Sequence, residues 1–172
     1  MKYIQLFFFL LVFQTGFSQE DIFDVARKGT VEQVKMLVKQ NPAIINTVNE
    51  QGFTPLILAC YRGNLDVAKF LIENSKTIDT TSDMGTPLMA CVVKGDIALA
   101  TLLLQQDANP NLTDSKGTTA LIYAVEFQNI EAVQLLLKYN ADTTHKNNEG
   151  KTAFEFAVFS NNEAIINLLK LN

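Results

Sequence analysis

One short phrase recurs four times at nearly constant spacing, and that recurrence constrains the fold more than any other feature of the chain. It reads Gly52-Phe53-Thr54-Pro55-Leu56, Gly85-Thr86-Pro87-Leu88, Gly117-Thr118-Thr119-Ala120-Leu121 and Gly150-Lys151-Thr152-Ala153-Phe154. Thr54, Thr86, Thr119 and Thr152 lie 32, 33 and 33 residues apart. Nine positions after each Thr stands Gly63, Gly95, Gln128 or Asn161, and a second apolar block follows: Leu65 to Ile72, Ile97 to Leu104, Ile130 to Leu137, and Glu163 to Lys170. A fixed period of this length is the signature of a stacked repeat architecture.

Elementary chemistry explains the phrase. Thr is a good helix N-cap, and Pro at the first helical position forfeits no hydrogen bond because its N–H would be an orphan. Gly63 and Gly95 predict helix ends in the left-handed conformation. Apolar residues in the second block recur at helical spacing, as in Ile130, Val133, Leu136 and Leu137, which marks a buried face. One helix pair cannot cover its own apolar side, so neighbouring pairs must share a continuous core.

These residues resemble the ankyrin-repeat family, whose repeat of about 33 residues opens its first helix with Thr-Pro-Leu-His-x-Ala. Gly52 to Ile72 and Gly117 to Asp142 match most closely, and Asp107-Ala108-Asn109 and Asn140-Ala141-Asp142 match the family's Gly-Ala-Asp loop. The signature His is replaced by Ile57, Met89, Ile122 and Glu155, and Ser82 to Gly85 is one residue short of the usual approach. The resemblance implies an all-α ankyrin-repeat solenoid of about five helix-turn-helix repeats, spanning approximately 20–50, 51–82, 83–114, 115–147 and 148–172. The outer two are degenerate caps whose polar residues keep one face wet. In the first, Ile22, Ala26 and Gly29 fit the first helix and Val31, Val34, Met36, Leu37 and Val38 the second, with an exit loop through Asn41-Pro42 and Ile44-Ile45-Asn46.

Residues 1–18 read differently. Met1-Lys2 is a short basic start, Tyr3 to Phe13 is apolar apart from Gln5, and Gln14 to Ser18 turns polar and small. That is the layout of a secretory signal peptide, cut after Ser18 or one residue later, leaving a repeat domain over 19–172. Spanning a bilayer takes roughly 20 apolar residues and this run is near half that, so an uncleaved membrane tether is the alternative. The expected location is periplasmic or secreted, with no membrane contact after cleavage.

Charge excludes one class of partner. With 14 Lys and Arg against 18 Asp and Glu, a net −4, the chain lacks the clustered basic surface that nucleic acid requires. A catalytic reading needs a reactive constellation, and none is assembled in the sequence. His145, the one histidine, falls in a loop and reads as solvated. Cys60 and Cys91 fall in first helices of adjacent repeats; export makes a disulfide chemically possible, but stacked helices lie roughly 8–10 Å apart and a disulfide wants Cα atoms within about 7 Å. Two buried free thiols are therefore expected, with no metal and no cofactor. Asp66, Asp96 and Glu131 suit the starts of second helices, Asp79, Asp114 and Asp142 suit loops, and Asn111-Leu112-Thr113 is a glycosylation sequon.

The resemblance further implies a cupped hand, with loop tips as fingers and exposed sides of first helices as palm. Its contact positions fall here on Phe53, Met84 and Lys116 of the fingers, and on Tyr61, Arg62, Val93, Lys94, Glu126, Phe127 and Phe159 of the palm. Tyr61, Val93, Phe127 and Phe159, with Phe53 and Met84 nearby, predict an apolar stripe, and aromatic and Arg anchors dominate interface energies. The expectation is a monomeric, non-catalytic scaffold that binds a protein partner. Against it stand the tethered scaffold and a small-ligand-binding protein or enzyme.

Overall fold

The computed structural model describes residues 21–171. The proposed signal peptide and its cleavage site lie outside these residues.

Helices come in antiparallel pairs: α1 (Ile22–Lys28) with α2 (Val31–Gln40), α3 (Pro55–Arg62) with α4 (Leu65–Asn74), α5 (Pro87–Lys94) with α6 (Ile97–Gln105), α7 (Ala120–Glu126) with α8 (Ile130–Lys138), and α9 (Ala153–Phe159) with α10 (Glu163–Lys170). The first helices form one rank, α1 on α3 on α5 on α7 on α9, and the second helices form another behind it. No named strand occurs among the described residues; Ser82↔Gly85 and Thr113↔Thr119 are isolated bridges in the loops. The described residues thus form an all-helical solenoid of five helix-turn-helix repeats.

Four of the five first helices start on a Thr, and α1 starts on Asp21. The hydroxyls of Thr54, Thr86, Thr119 and Thr152 accept from the N–H of Ile57, Met89, Ile122 and Glu155. In the last repeat Glu155 reciprocates by accepting from Thr152 N–H at 2.6 Å, so the glutamate that replaces the signature His completes a capping box.

The helix ends are equally regular. Gly63 and Gly95 have φ of 72° and 70°, and the residues at the same place in the next repeats, Gln128 and Asn161, both have φ of 52°. At each of the four, the N–H bonds the carbonyl three residues back, and the following N–H bonds the carbonyl five back: Gly63 to Cys60 and Asn64 to Ala59, through to Asn161 to Val158 and Asn162 to Ala157. That double bond pattern satisfies the orphan carbonyls of a helix end. It forces a left-handed residue whether or not glycine supplies it.

The core runs unbroken between the ranks, through Leu56, Leu71, Leu88, Leu103, Leu121, Leu136 and Ile165. In the first repeat Val34 and Leu37 are buried, but Met36, expected in the apolar pattern, is 58% exposed because it is out of phase with them. Its exit loop is a 3₁₀ turn, Pro42–Asn46, that buries Ile45. The ranks also share polar ties: Asn64 Nδ2 donates to Gly29 O at 2.9 Å, closing the end of α1 onto the next repeat.

Candidate functional site

The finger loops are built by one side chain each. Five residues before their Thr stand Asn49, Asp114 and Asn147, whose Oδ1 atoms each accept two backbone N–H bonds: from Gln51 and Phe53, from Lys116 and Thr118, and from Glu149 and Lys151, all at 2.8–3.1 Å. The second finger, one residue shorter, uses Ser82, whose hydroxyl accepts from Met84 N–H at 3.2 Å and donates to Gly85 O at 3.0 Å. A single small hydroxyl suffices because the shorter loop presents one fewer N–H.

Successive fingers are also bonded to each other. Ser115 Oγ donates to Asp83 O at 2.9 Å, Asn148 N–H donates to Lys116 O at 3.0 Å, and Asn148 Nδ2 donates to Ser115 O at 3.1 Å. Lower down, Asp79 accepts from Asn109 N–H, and Asn111 Oδ1 accepts from Asp142 N–H at 2.7 Å. Asn111, the sequon residue, therefore already bridges two repeats through its amide. His145 likewise corrects the solvated reading: it is half-buried, with Nε2 2.8 Å from Gly117 O, so it braces finger three against the loop of repeat four.

The palm presents two lines of side chains at the ends of the first helices. One comprises Tyr61, Val93, Glu126 and Phe159, the other Arg62, Lys94, Phe127 and Ser160. Exposure is uneven: Phe159 92%, Phe127 56%, Tyr61 39%, with Met84 of the second finger at 52%. Arg62, Lys94, Lys116 and Glu126 are exposed, whereas Val93 is half-buried and Phe53 is half-buried against the core. The apolar surface is thus densest over repeats four and five. There a groove of about 720 Å³ is lined by Glu126, Gln128, Lys151, Glu155, Phe156, Phe159 and Ser160. Lys151 Nζ sits 5.6 Å from the centre of the Phe156 ring and 2.9 Å from Glu149 Oε2.

Tyr123, which the sequence reading did not single out, ties the palm to the fingers. Its hydroxyl donates to Asp114 Oδ2 at 2.6 Å, and its ring stacks on Phe127 with centroids 6.4 Å apart. Burial and the Asp114 carboxylate push the Tyr123 phenol far above its usual range. Asp114 thus spends one oxygen on its loop and the other on α7, more than the loop role expected of it. Glu126 beside it is raised by desolvation, with Lys116 and Lys151 opposing.

Elsewhere the polar groups serve structure. Asp96 caps α6 through Leu99 N–H at 3.0 Å. Cys60 and Cys91 are buried free thiols, and the neighbouring Cys60 thiol, together with burial, pushes the Cys91 thiol well up. Among the described residues no group of three or more His, Cys, Asp or Glu is placed to hold a metal ion, and no helix is long and apolar enough to cross a membrane.

The family model described as ankyrin repeats (3 copies) matches residues 22–114 and 88–172. The chain is similar to human ankyrin repeat domain-containing protein 63, 32% identical over 125 residues, covering 69% of this chain and 33% of that protein. It is similar to mouse ankyrin repeat and SAM domain-containing protein 6, 32% identical over 120 residues (67% of this chain, 14% of the relative). Mouse Rabankyrin-5 is 30% identical over 160 residues, covering 84% of this chain and 14% of the relative. The chain therefore spans only a minor part of the length of these relatives.

Proposed function

From the premise that this chain belongs to the ankyrin-repeat family, whose repeats generally mediate protein–protein interaction, we propose that it is a non-catalytic scaffold holding a protein partner in its palm. We place it in a periplasm or the secreted space, where residues 1–18 would send it. The observation that carries the binding role is the cluster of exposed aromatic surface at Phe127 and Phe159 beside a groove walled by Phe156 and Lys151. Apolar surface concentrated in a concave site marks an interaction surface. The bonded fingers hold that surface in one arrangement, so little ordering accompanies binding.

The test is affinity capture from an extract of the source organism's envelope, with the chain from Gln19 as bait and the Tyr61→Ala/Phe127→Asp double variant as control. A protein retained by the unmutated bait and lost with the control supports groove binding; equal capture by both overturns it. Export is tested by the N-terminal mass of the chain expressed with residues 1–18 in its own host. Loss of those residues supports a free exported scaffold, and an intact chain in the membrane fraction overturns it in favour of a tether.

A further inference from the structure

We propose that the palm takes an extended polypeptide segment laid along the array, acidic where it crosses α1, α3 and α5, and apolar where it crosses α7 and α9. The inference rests on the protein-binding role proposed above and adds the chemistry of the partner.

The residue immediately before the helix-ending position is, repeat by repeat, Lys28, Arg62, Lys94, Phe127 and Ser160. Because the first helices stack side by side, these five stand in one line across the palm. The line opens with three cations and changes to an aromatic ring. Lys28, Arg62 and Lys94 are exposed, and none has an ion pair or side-chain hydrogen bond among the described residues, where the ion pairs are Asp24–Arg27 and Glu149–Lys151.

The helix dipole favours a cation in a last turn, but it does not account for the run, since α7 and α9 carry no basic residue in their last turns and are capped by Phe127 and Ser160. Nor does composition, because acids outnumber bases in this chain, 18 to 14. The fingertip acids Glu50 and Asp83 line a separate polar cleft between the fingers, of about 480 Å³, and leave the palm cations unmatched. An unpaired row of like charge on a binding face complements the opposite charge on its partner and selects against its own sign.

Spacing says what form the acids take. Packed helices lie roughly 8–10 Å apart, and an extended chain advances about 3.3 Å per residue. Every third residue of an extended segment therefore meets the next first helix. Asp or Glu at such positions reaches the cations, and an apolar residue one step further reaches Phe127 and the groove walled by Phe156 and Phe159. A nucleic acid strand could stack its bases on the rings, but its phosphates would run past Glu126 and Glu155, which line that groove, and this favours a polypeptide.

The experiment is selection of a displayed library of random twelve-residue peptides on the chain from Gln19 and, in parallel, on the Arg62→Glu/Lys94→Glu variant, whose fold is checked by circular dichroism. The expected result is enrichment of peptides with acids about three residues apart followed by an apolar or aromatic residue. The variant should bind those peptides at least about tenfold more weakly, as read by fluorescence anisotropy, and should itself enrich basic peptides. The same enrichment on both proteins, no charge preference, no enriched peptide, or unchanged affinity of the selected peptides for a Phe127→Asp variant would overturn the inference. A dT12 oligonucleotide that binds more tightly than any selected peptide would overturn it in favour of a phosphate polymer. Failure here is separable from failure of the scaffold reading: a partner captured through Tyr61 and Phe127 but indifferent to the Arg62→Glu/Lys94→Glu change leaves the groove assignment standing.

Discussion

The Tyr123 hydroxyl lies 2.6 Å from Asp114 Oδ2, joining helix α7 to the loop that forms the third finger. Asp114 is almost fully buried, so removing its phenolic partner leaves a carboxylate oxygen short of a donor. Tyr123→Phe should lower unfolding free energy by ~1.5–3 kcal/mol, the range for hydrogen bonds to charged groups, as read by urea titration.

The same pair sets an alkaline limit. Tyr123 is held protonated in the folded chain, its pKa raised above the unfolded value. Its contribution is complete below the unfolded pKa of about 10 and is lost as pH rises from there through the folded value. Thermal melts above pH 10 should fall more steeply in the native chain than in Tyr123→Phe.

Gly117 shows how closely the fingers fit. With φ of 70°, its Cβ position would lie 2.5 Å from Asn148 Oδ1 and 3.1 Å from Asn148 N of the next finger. Gly117→Ala combines left-handed strain of ~1–2 kcal/mol with displacement of that finger. The expected outcome is a lower melting temperature and faster amide exchange at Asn148.

Gln128 predicts a change of opposite sign. It occupies with φ of 52° the place that Gly63 and Gly95 fill in earlier repeats, and it is exposed. Gln128→Gly relieves left-handed strain of ~1–2 kcal/mol, offset in part by the greater freedom of an unfolded glycine. A net gain of about 0.5–1 kcal/mol in urea titration is expected.

The thiols should be inert while the chain is folded. Cys60 and Cys91 are buried, and Cys91 is pushed well above the usual thiol range, which suppresses the reactive thiolate. A disulfide-exchange reagent at pH 8 should react with neither until denaturant is added, and with both afterwards.

The repeat and its caps were legible because each depends on local chemistry: a Thr hydroxyl reaching three residues ahead, or a left-handed residue nine places on. Binding positions follow from that register alone, but their exposure does not. Phe53 and Val93 occupy contact positions and yet turn partly inward, since burial depends on how far each neighbouring repeat overhangs them. Tyr123 was silent for another reason. Leu58 and Ala90 hold its place in earlier repeats, so the position reads as core, and only the curl of the loop brings Asp114 within reach. His145 was similarly misread, because its acceptor, Gly117 O, is 28 residues away in sequence.

Asp107, Gln128, Asn140 and Asn161, the non-glycine residues with positive φ among those described, all lie beyond residue 106, while Gly63 and Gly95 hold in earlier repeats the places of Gln128 and Asn161. Backbone tension is therefore stored on one side of the molecule only. In an array where each unit leans solely on its neighbours, that asymmetry predicts faster amide exchange in the last two repeats than in the glycine-capped ones before them.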